Sequence, residues 1–281
     1  MTVLSLVEIE RLLAEDVPYG DLTTETLGIG GCPGSVCFTA RNAMVVAAIK
    51  EAEALFSLAG VTARCHARTG DAVASDTVLL TGEGSATGLH RAWKVAQTLV
   101  EIWSGVATAT RSLVTAARAA RPDIVIACTR KNVPGTKALA IAAIKAGGAA
   151  VHRLGLSETI LVFPEHRVFR GDGDVASITR DLRARAPEKK LVIEVNSVAE
   201  GFAAATAGFD VIQTEKFSPA MVSQLATALA SVARRPLIAA AGGINSDNVT
   251  AYVQAGADII VTSWPYTARP ADIAVQIKAN A

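Results

Sequence analysis

Thr129-Arg130-Lys131 closes the apolar run Ile124 to Ala127, and His152-Arg153 follows one βα unit later, so cationic or cation-capable side chains end two consecutive strands. Guanidinium forks and an ammonium gathered in this way make a site for carboxylate, phosphate or diphosphate groups. Other apolar runs also end in polar or flexible residues: Leu191 to Ile193 in Glu194, Val211 to Thr214 in Glu215, Leu237 to Ala241 in Gly242-Gly243, and Asp258 to Val261 in Thr262-Ser263. The glycine pair precedes Ile244-Asn245-Ser246, which puts a flexible turn ahead of a helix amino terminus whose free N–H groups favour a phosphate. Each residue has a plainer use taken singly. His152 could be a hydrogen-bonded structural histidine, Arg130 could pair with Glu158 or Glu165, Glu194 and Glu215 could orient loops, and a glycine pair is common in tight turns.

These residues need elements to hold them. Seven runs, at 124–129, 149–153, 159–163, 191–195, 211–215, 236–241 and 258–263, read as strands that are apolar on both faces, as in a parallel sheet. Helical segments alternate with them. Ser197 begins a capping box with Glu200, Ser218-Pro219 supplies an N-cap and a first-turn proline, and Gly208 and Gly256 stop the helices they follow. Pro134 is expected to open a helix through Lys145, stopped at Gly147-Gly148. The pattern predicts an incomplete, TIM-like α/β barrel, in which chemistry gathers at the carboxyl ends of the strands.

The first third differs. An opening helix is followed by short β-like segments at 35–40, 61–67 and 77–80, which predicts an α+β open-sandwich domain over 1–110 with connecting helices. A long helical region from Gly88 to Ala120 is expected to break near Ser104-Gly105. The barrel domain then covers 111–281, its last helix packing back on the amino-terminal domain.

With 281 residues and a net charge of +1, the chain has ample core and no electrostatic support for a nucleic-acid partner. Its hydrophobic fraction is 51%, yet charged residues or glycine interrupt every apolar stretch well before the ~18 residues that suggest a membrane span. Met1 to Glu15 reads as an amphipathic helix rather than a signal peptide, so a cytoplasmic protein is expected. Cys32, Cys37, Cys65 and Cys128 form no CxxC pair, which argues against zinc.

Nearly the whole chain resembles the quinolinate phosphoribosyltransferase (nicotinate-nucleotide pyrophosphorylase, carboxylating) family. Glu15-Asp16, Gly20-Asp21-Leu22-Thr23-Thr24, Ser104 to Thr108, Thr129-Arg130-Lys131, Pro134-Gly135, Gly147-Gly148, His152 to Leu156, Glu194-Val195 and Gly242-Gly243 carry the resemblance. The segments Val162 to His166 and Val261 to Tyr266 resemble its ModD branch, associated with molybdenum-transport operons. The resemblance implies a cytoplasmic enzyme in which a nitrogen nucleophile displaces pyrophosphate from C1 of phosphoribosyl pyrophosphate (PRPP), with Mg2+ on the diphosphate and ribose hydroxyls. It implies catalytic roles for Lys131, Glu194 and Glu215, the two glutamates near the ribose and metal, where carboxylates stabilise oxocarbenium-like charge. Thr129, Arg130, His152 and Arg153 would hold acidic groups of the acceptor, and Gly242, Gly243, Thr262 and Ser263 a phosphate. A homodimer is also implied, with Lys94 of one subunit approaching the acceptor pocket of its partner.

Departures from the family pattern bear on the acceptor. Lysine is expected where Phe163 stands, arginine at Lys94, asparagine at Lys216, aspartate at Glu215 and glycine at Thr262. Loss of a lysine opposite a buried substrate carboxylate is costly, so the acceptor is expected to be a heteroaromatic acid other than quinolinate, unless Phe163 points away and Lys216 supplies the charge. Ordinary quinolinate phosphoribosyl transfer in NAD synthesis, and a non-catalytic oxyanion or metabolite binder linked to molybdenum supply, stay open as alternatives.

Overall fold

The computed structural model describes residues 2–170 and 174–280. In chain order its elements begin with α1 (Leu6–Asp16), α2 (Leu22–Thr26), β1 (Pro33–Ala40), β2 (Met44–Val45), α3 (Ile49–Leu58), β3 (Thr62–Cys65), β4 (Ala72–Val73), β5 (Val78–Ser85) and α4 (Ala86–Ala120). There follow β6 (Val125–Cys128), α5 (Lys137–Ala146), β7 (Ala150–Val151), β8 (Ile160–Val162), α6 (Pro164–Val168), α7 (Val175–Arg185), β9 (Leu191–Val195) and α8 (Val198–Thr206). The chain ends with β10 (Val211–Glu215), α9 (Pro219–Leu229), β11 (Leu237–Ala241), α10 (Val249–Gln254), β12 (Ile259–Thr262) and β13 (Ile273–Ala279). Among the described residues no helix is long and apolar enough to cross a membrane.

Two compact units form. The first comprises Met1–Arg111, Asn132–Gly148 and Pro265–Ala281, the second Ser112–Lys131 and Ala149–Trp264. In the first, an antiparallel sheet of order β13-β1-β5-β3 covers a core that includes Phe38 and Phe56, whose rings meet edge to face at 5.7 Å. Helix α1 starts on a complete capping box, in which Ser5 and Glu8 each bond the other's backbone N–H.

Three expectations change here. The carboxyl-terminal segment is a strand and not a helix: Ile273, Val275 and Ile277 alternate with more polar residues and pack on the core, while the backbone pairs antiparallel with β1 from Gly34↔Ala279 to Ala40↔Ile273. Helix α5 starts at Lys137 rather than Pro134, because Val133 to Thr136 form a turn closed by the Thr136 N–H to Val133 carbonyl bond. Helix α4 runs unbroken through Ser104-Gly105. Ser104 is fully buried, and its hydroxyl oxygen accepts from the Ala47 N–H at 2.9 Å. Gly105 admits the chain near Arg269, since a Cβ there would sit 2.2 Å from the Arg269 carbonyl oxygen. Glycine at this position serves close packing and not a helix break.

In the second unit all seven predicted strands join one curled parallel sheet of order β7-β6-β12-β11-β10-β9-β8. Helices start where the sequence says: Ser197 caps α8 through the Glu200 N–H, and Ser218 with Pro219 opens α9. The capping box at Ser197 is only half made, as Glu200 reaches the Asn196 N–H instead. Gly208 and Gly256, at φ +95° and +100°, end their helices in a conformation that favours glycine. At the amino ends of the strands Asp210 and Asp258 fix the register by accepting from the Leu191 and Ile238 N–H groups while pairing with Arg183 and Arg235. That edge is structural, and the opposite edge is left for chemistry.

Gly105→Ala is expected to lose about 1–3 kcal/mol through overpacking, read as a lower melting temperature, whereas Gly31→Ala, where a Cβ would meet nothing within 4 Å, stays within about 0.5 kcal/mol of the unsubstituted protein. Equal melting of the two variants would contradict the close approach at Gly105.

Candidate active site

Strand parity decides which polar groups meet. Side chains alternate between the two faces of a strand, and the ladders pair Val192 with Val211, Val211 with Leu237, Ala239 with Ile259 and Val261 with Ala127. Val211, Ala239, Ala241 and Val261 pack together with Val192 and Ile259 on the concave face. Continuing that parity toward the carboxyl ends brings Glu194, Gln213, Glu215 and Ser263 to the same face. Thr129 joins them through β6 and His152 through the pairing of Ala127 with Ala150. Thr129 and Ser263 confirm this by a hydroxyl–hydroxyl bond of 2.6 Å.

Glu194 and Gln213 are register partners on adjacent strands. Gln213 Nε2 donates to Glu194 Oε2 at 2.7 Å. Burial nevertheless holds the Glu194 carboxyl above the ordinary glutamate range, with the Glu215 and Glu165 carboxylates adding to the effect against the Gln213 bond and the Lys131 charge. Glu215 is half-buried and lies 3.8 Å from Lys216 Nζ. Lys216 itself is exposed, with a positive φ of 56°. Its backbone lies so close to Gly242 that a Cβ on Gly242 would sit 2.8 Å from the Lys216 nitrogen, which explains a glycine at that position.

On the cationic side, Arg130 and Lys131 are exposed, His152 is half-buried and Arg153 is 6% exposed. Burial lowers the proton affinity of His152, and Arg153 and Arg130 lower it further, while the Gln213 side chain opposes them. Burial also lowers that of Arg153, reinforced by Arg130 and opposed by Glu158. Among the described residues the Arg153 Nε and Nη1 groups have no hydrogen-bond partner. A buried guanidinium in that state is a strong receptor for an anion. Glu158 accepts instead from the Leu154 N–H.

Phe163 caps α6 from the end of β8, one step beyond the register pair of Val162 with Ile193, and its ring stacks on His166 at 5.8 Å. Beside it a cavity of about 480 Å³ is lined by Arg153, Leu161, Val162, His166 and Arg167, among others. Arg167 also reaches the Glu194 carbonyl and pairs with Glu200.

Several groups around the expected phosphate turn make bonds within the chain. Thr262 has the opposite parity to Ser263, is buried, and gives its one hydroxyl proton to the Ile244 carbonyl at 2.6 Å, so it holds the turn and has no proton left for a ligand. Following Gly242 and Gly243, at φ +93° and +73°, the Asn245, Asp247 and Asn248 N–H groups are taken by the Asn245 and Asn248 side chains, and are therefore not free for a phosphate. Lys94 is carried by α4 of the first unit, where its ammonium lies 4.0 Å over the Trp93 ring and bonds Gln97. Cys128 is buried and its thiol is pushed up to about 12 by that burial, which removes it from the chemistry. Gln213 and Arg167 are the neighbours that sequence reasoning missed, and Glu165, weighed there only as a partner for Arg130, acts on Glu194. Gln213 alone had a legible signal, two residues before Glu215 in an otherwise apolar strand.

The quinolinate phosphoribosyl transferase C-terminal domain matches residues 106–276 and the N-terminal domain of the same family matches residues 21–104. The chain belongs to the quinolinate phosphoribosyl transferase family. It is thus an enzyme of the pentosyltransferase type. Among members of the quinolinate phosphoribosyl transferase family, a ModD protein of Rhodobacter capsulatus is 46% identical over 237 residues, 84% of this chain and 91% of the relative. A nicotinate-nucleotide pyrophosphorylase [carboxylating] of Mycobacterium leprae (strain TN) is 31% identical over 277 residues, 96% of this chain and 95% of the relative. The crystal structure of NadC from Streptococcus pyogenes superposes with a TM-score of 0.88 at 25% identity, covering 100% of both chains. The two family domains meet near residue 105, whereas Asn132–Gly148 and Pro265–Ala281 join the first compact unit.

The raised proton affinity of Glu194 predicts a pH-dependent stability. Its protonated form contributes stability that is present below the ordinary glutamate range and lost as pH rises through the elevated value. Glu194→Gln should therefore melt above the unsubstituted protein at pH 7, with the gap closing as pH falls through that value. A variant that melts lower at pH 7 would make the carboxylate a structural anchor.

Proposed function

We propose that this chain transfers the phosphoribosyl group of PRPP to a heteroaromatic acid and releases pyrophosphate, with an acceptor pocket altered from that for quinolinate. The reading is supported by the shared concave face of Glu194, Glu215 and His152, with Lys131 near enough to Glu194 to act on its charge and the buried Arg153 next to His152. In the displacement, a ring-nitrogen lone pair of the acceptor forms the bond to C1, and the C1–oxygen bond breaks with its electrons leaving on pyrophosphate. No protein base is required when that nitrogen carries no proton. Positive charge grows on the ribose as the bonds exchange, and in this reading the two carboxylates stabilise it, while Lys131 takes charge on the departing diphosphate.

The residues also fit magnesium of the substrate-borne kind. Among the described residues no group of three or more His, Cys, Asp or Glu could hold a metal ion by itself, but Mg2+ is commonly bound through one or two carboxylates plus substrate phosphates. Glu194, whose proton affinity is raised by burial and by Glu215 and Glu165, sits in an excess of negative charge that a divalent cation relieves. Glu194 and Glu215 would hold it. When bound, the ion would neutralise diphosphate and orient the sugar hydroxyls.

Acceptor acidity is met by Arg153 and Arg130, and the aromatic Phe163–His166 pair replaces an ammonium with a stacking surface beside them. The identity of 39%, 46% and 38% to three ModD pyrophosphorylases supports placing the chain in the ModD branch. A homodimer in the cytoplasm, with Lys94 completing the partner's pocket, accords with the family pattern.

Pyrophosphate release from PRPP and Mg2+, measured with quinolinate and a panel of other heteroaromatic acids, tests the proposal. Release with another acid and little with quinolinate is expected. In Phe163→Lys, quinolinate kcat/KM should rise by about tenfold or more, and in Glu194→Gln kcat should fall more than the KM for PRPP rises. Strong quinolinate turnover by the unsubstituted protein would return the chain to ordinary quinolinate transfer, and silence with every acid would favour a non-catalytic metabolite binder.

A further inference from the structure

The cavity beside Phe163 is built differently from the rim it adjoins. Its walls are aliphatic, supplied by Ile160 and Leu161 of β8 and by Ile178 and Leu182 of α7, and they meet at the edge of the sheet, where β8 is the last strand. Its charges are mostly cationic, with Arg153, Arg167, Arg170 and Arg185 in the lining beside the carboxylate of Asp181. Arg170 and Asp181 pair at 2.8 Å and cancel, and Arg167 is shared with Glu200 at 3.6 Å. Arg153 is the buried cation. It is 6% exposed, and its Nε and Nη1 have no hydrogen-bond partner among the described residues. A guanidinium taken out of water in this way is costly unless an anion joins it.

Three residues tie the cavity to the rim. Phe163 follows Val162, the register partner of Ile193, so it stands level with Glu194 on the neighbouring strand. Its backbone N–H donates to His166 Nδ1 at 2.9 Å, its ring stacks on the same imidazole, and His166 lines the cavity. Arg167, also in the lining, donates to the Glu194 carbonyl at 3.5 Å. Arg153 directly follows His152 in the chain and belongs to the cavity wall. An acid anchored on Arg153 therefore has one end beside the rim and the other among aliphatic side chains. The volume of about 480 Å³ falls within the range of about 300–1,000 Å³ of pockets that bury drug-sized ligands. A single-ring acid on Arg153 would leave much of the aliphatic wall in contact with water, whereas an apolar group remote from the carboxylate would displace that water. The Phe163–His166 pair at the passage suits an apolar body better than a second carboxylate.

We propose that the cavity between β8, α6 and α7 is the distal part of the acceptor site, and that the acceptor is a heteroaromatic acid carrying a bulky apolar group remote from its carboxylate. This rests on the phosphoribosyl transfer proposed above. The carboxylate binds Arg153, the ring nitrogen faces the rim, and the apolar end fills the space lined by Ile160, Ile178 and Leu182. The cavity takes no part in the exchange of bonds and acts on the choice of acceptor.

Titration calorimetry on the full chain without PRPP reads the pocket apart from turnover. The probes are picolinate and its butyl derivative with the chain para to the carboxylate. The butyl acid is expected to bind at least about tenfold tighter, through burial of its methylenes. In Leu182→Trp, which fills the cavity from α7, the two affinities should come within about twofold of each other while that for picolinate holds. In Arg153→Met both acids should weaken by about tenfold or more with the butyl advantage kept. Equal affinity of the two acids for the unsubstituted protein would overturn the proposal, as would the absence of binding by both, or a butyl advantage that survives Leu182→Trp. Should that variant fail to fold, Ile160→Phe narrows the cavity from β8 and is read in the same way. Pyrophosphate release with the two acids then separates the pocket from the reaction. Tight binding of the butyl acid without release would count against the transfer alone, whereas release with equal kcat/KM for both acids would support the transfer and count against the pocket.

Discussion

In a parallel sheet whose outer face is covered by helices, every strand sends alternate side chains to opposite sides, and a shift of one residue would exchange the two sets. The second unit depends on this constraint. With the register fixed by Asp210 and Asp258 at the amino ends, Glu194, Gln213, Glu215, Thr129 and Ser263 emerge on the concave face at the carboxyl ends. Thr262 and Thr214, of the opposite parity, are buried. The apolar cluster of Val211, Ala239, Ala241 and Val261 lies below the polar rim on the same face, so the packing that sets the register also sets the chemistry.

The rim combines groups that are unfavourable alone. Burial and like charge raise the proton affinity of Glu194, and Arg153 is buried with two of its guanidinium nitrogens unpartnered among the described residues. Stability would be served by neutral residues at both positions. Under the proposed transfer, an acidic acceptor would satisfy Arg153, the diphosphate Lys131, and the sugar that becomes cationic in the transition state Glu194 and Glu215. On that proposal the region is preorganised for a charge distribution that the free protein does not itself contain.

Much of this was legible in the sequence because parallel strands announce themselves as apolar runs and their carboxyl ends as the polar residues that stop them. All seven barrel strands, the caps at Ser197 and Ser218, and the stops at Gly208 and Gly256 followed from local rules. What was not legible required knowledge of partners distant in the chain. Gly105 reads as a helix breaker until Arg269 approaches it, and the fate of the Thr262 proton depends on the Ile244 carbonyl. The terminal strand did carry a period-two signal at Ile273, Val275 and Ile277, but a single edge strand far from its sheet in sequence was mistaken for a helix packing back on the amino-terminal domain. Gln213 was passed over because a glutamine inside an apolar run is most simply read as part of the strand. Its meaning appears only when Glu194 is seen to be its register partner.

The central claim, that the concave rim binds a phosphoribosyl donor with sugar and diphosphate on opposite charges, is most directly tested by a crystal structure of the chain with PRPP and Mg2+. The account predicts ribose hydroxyls and the metal at Glu194 and Glu215, with the diphosphate against Lys131. A sugar bound away from both glutamates, with the diphosphate seated on Arg153, would contradict it.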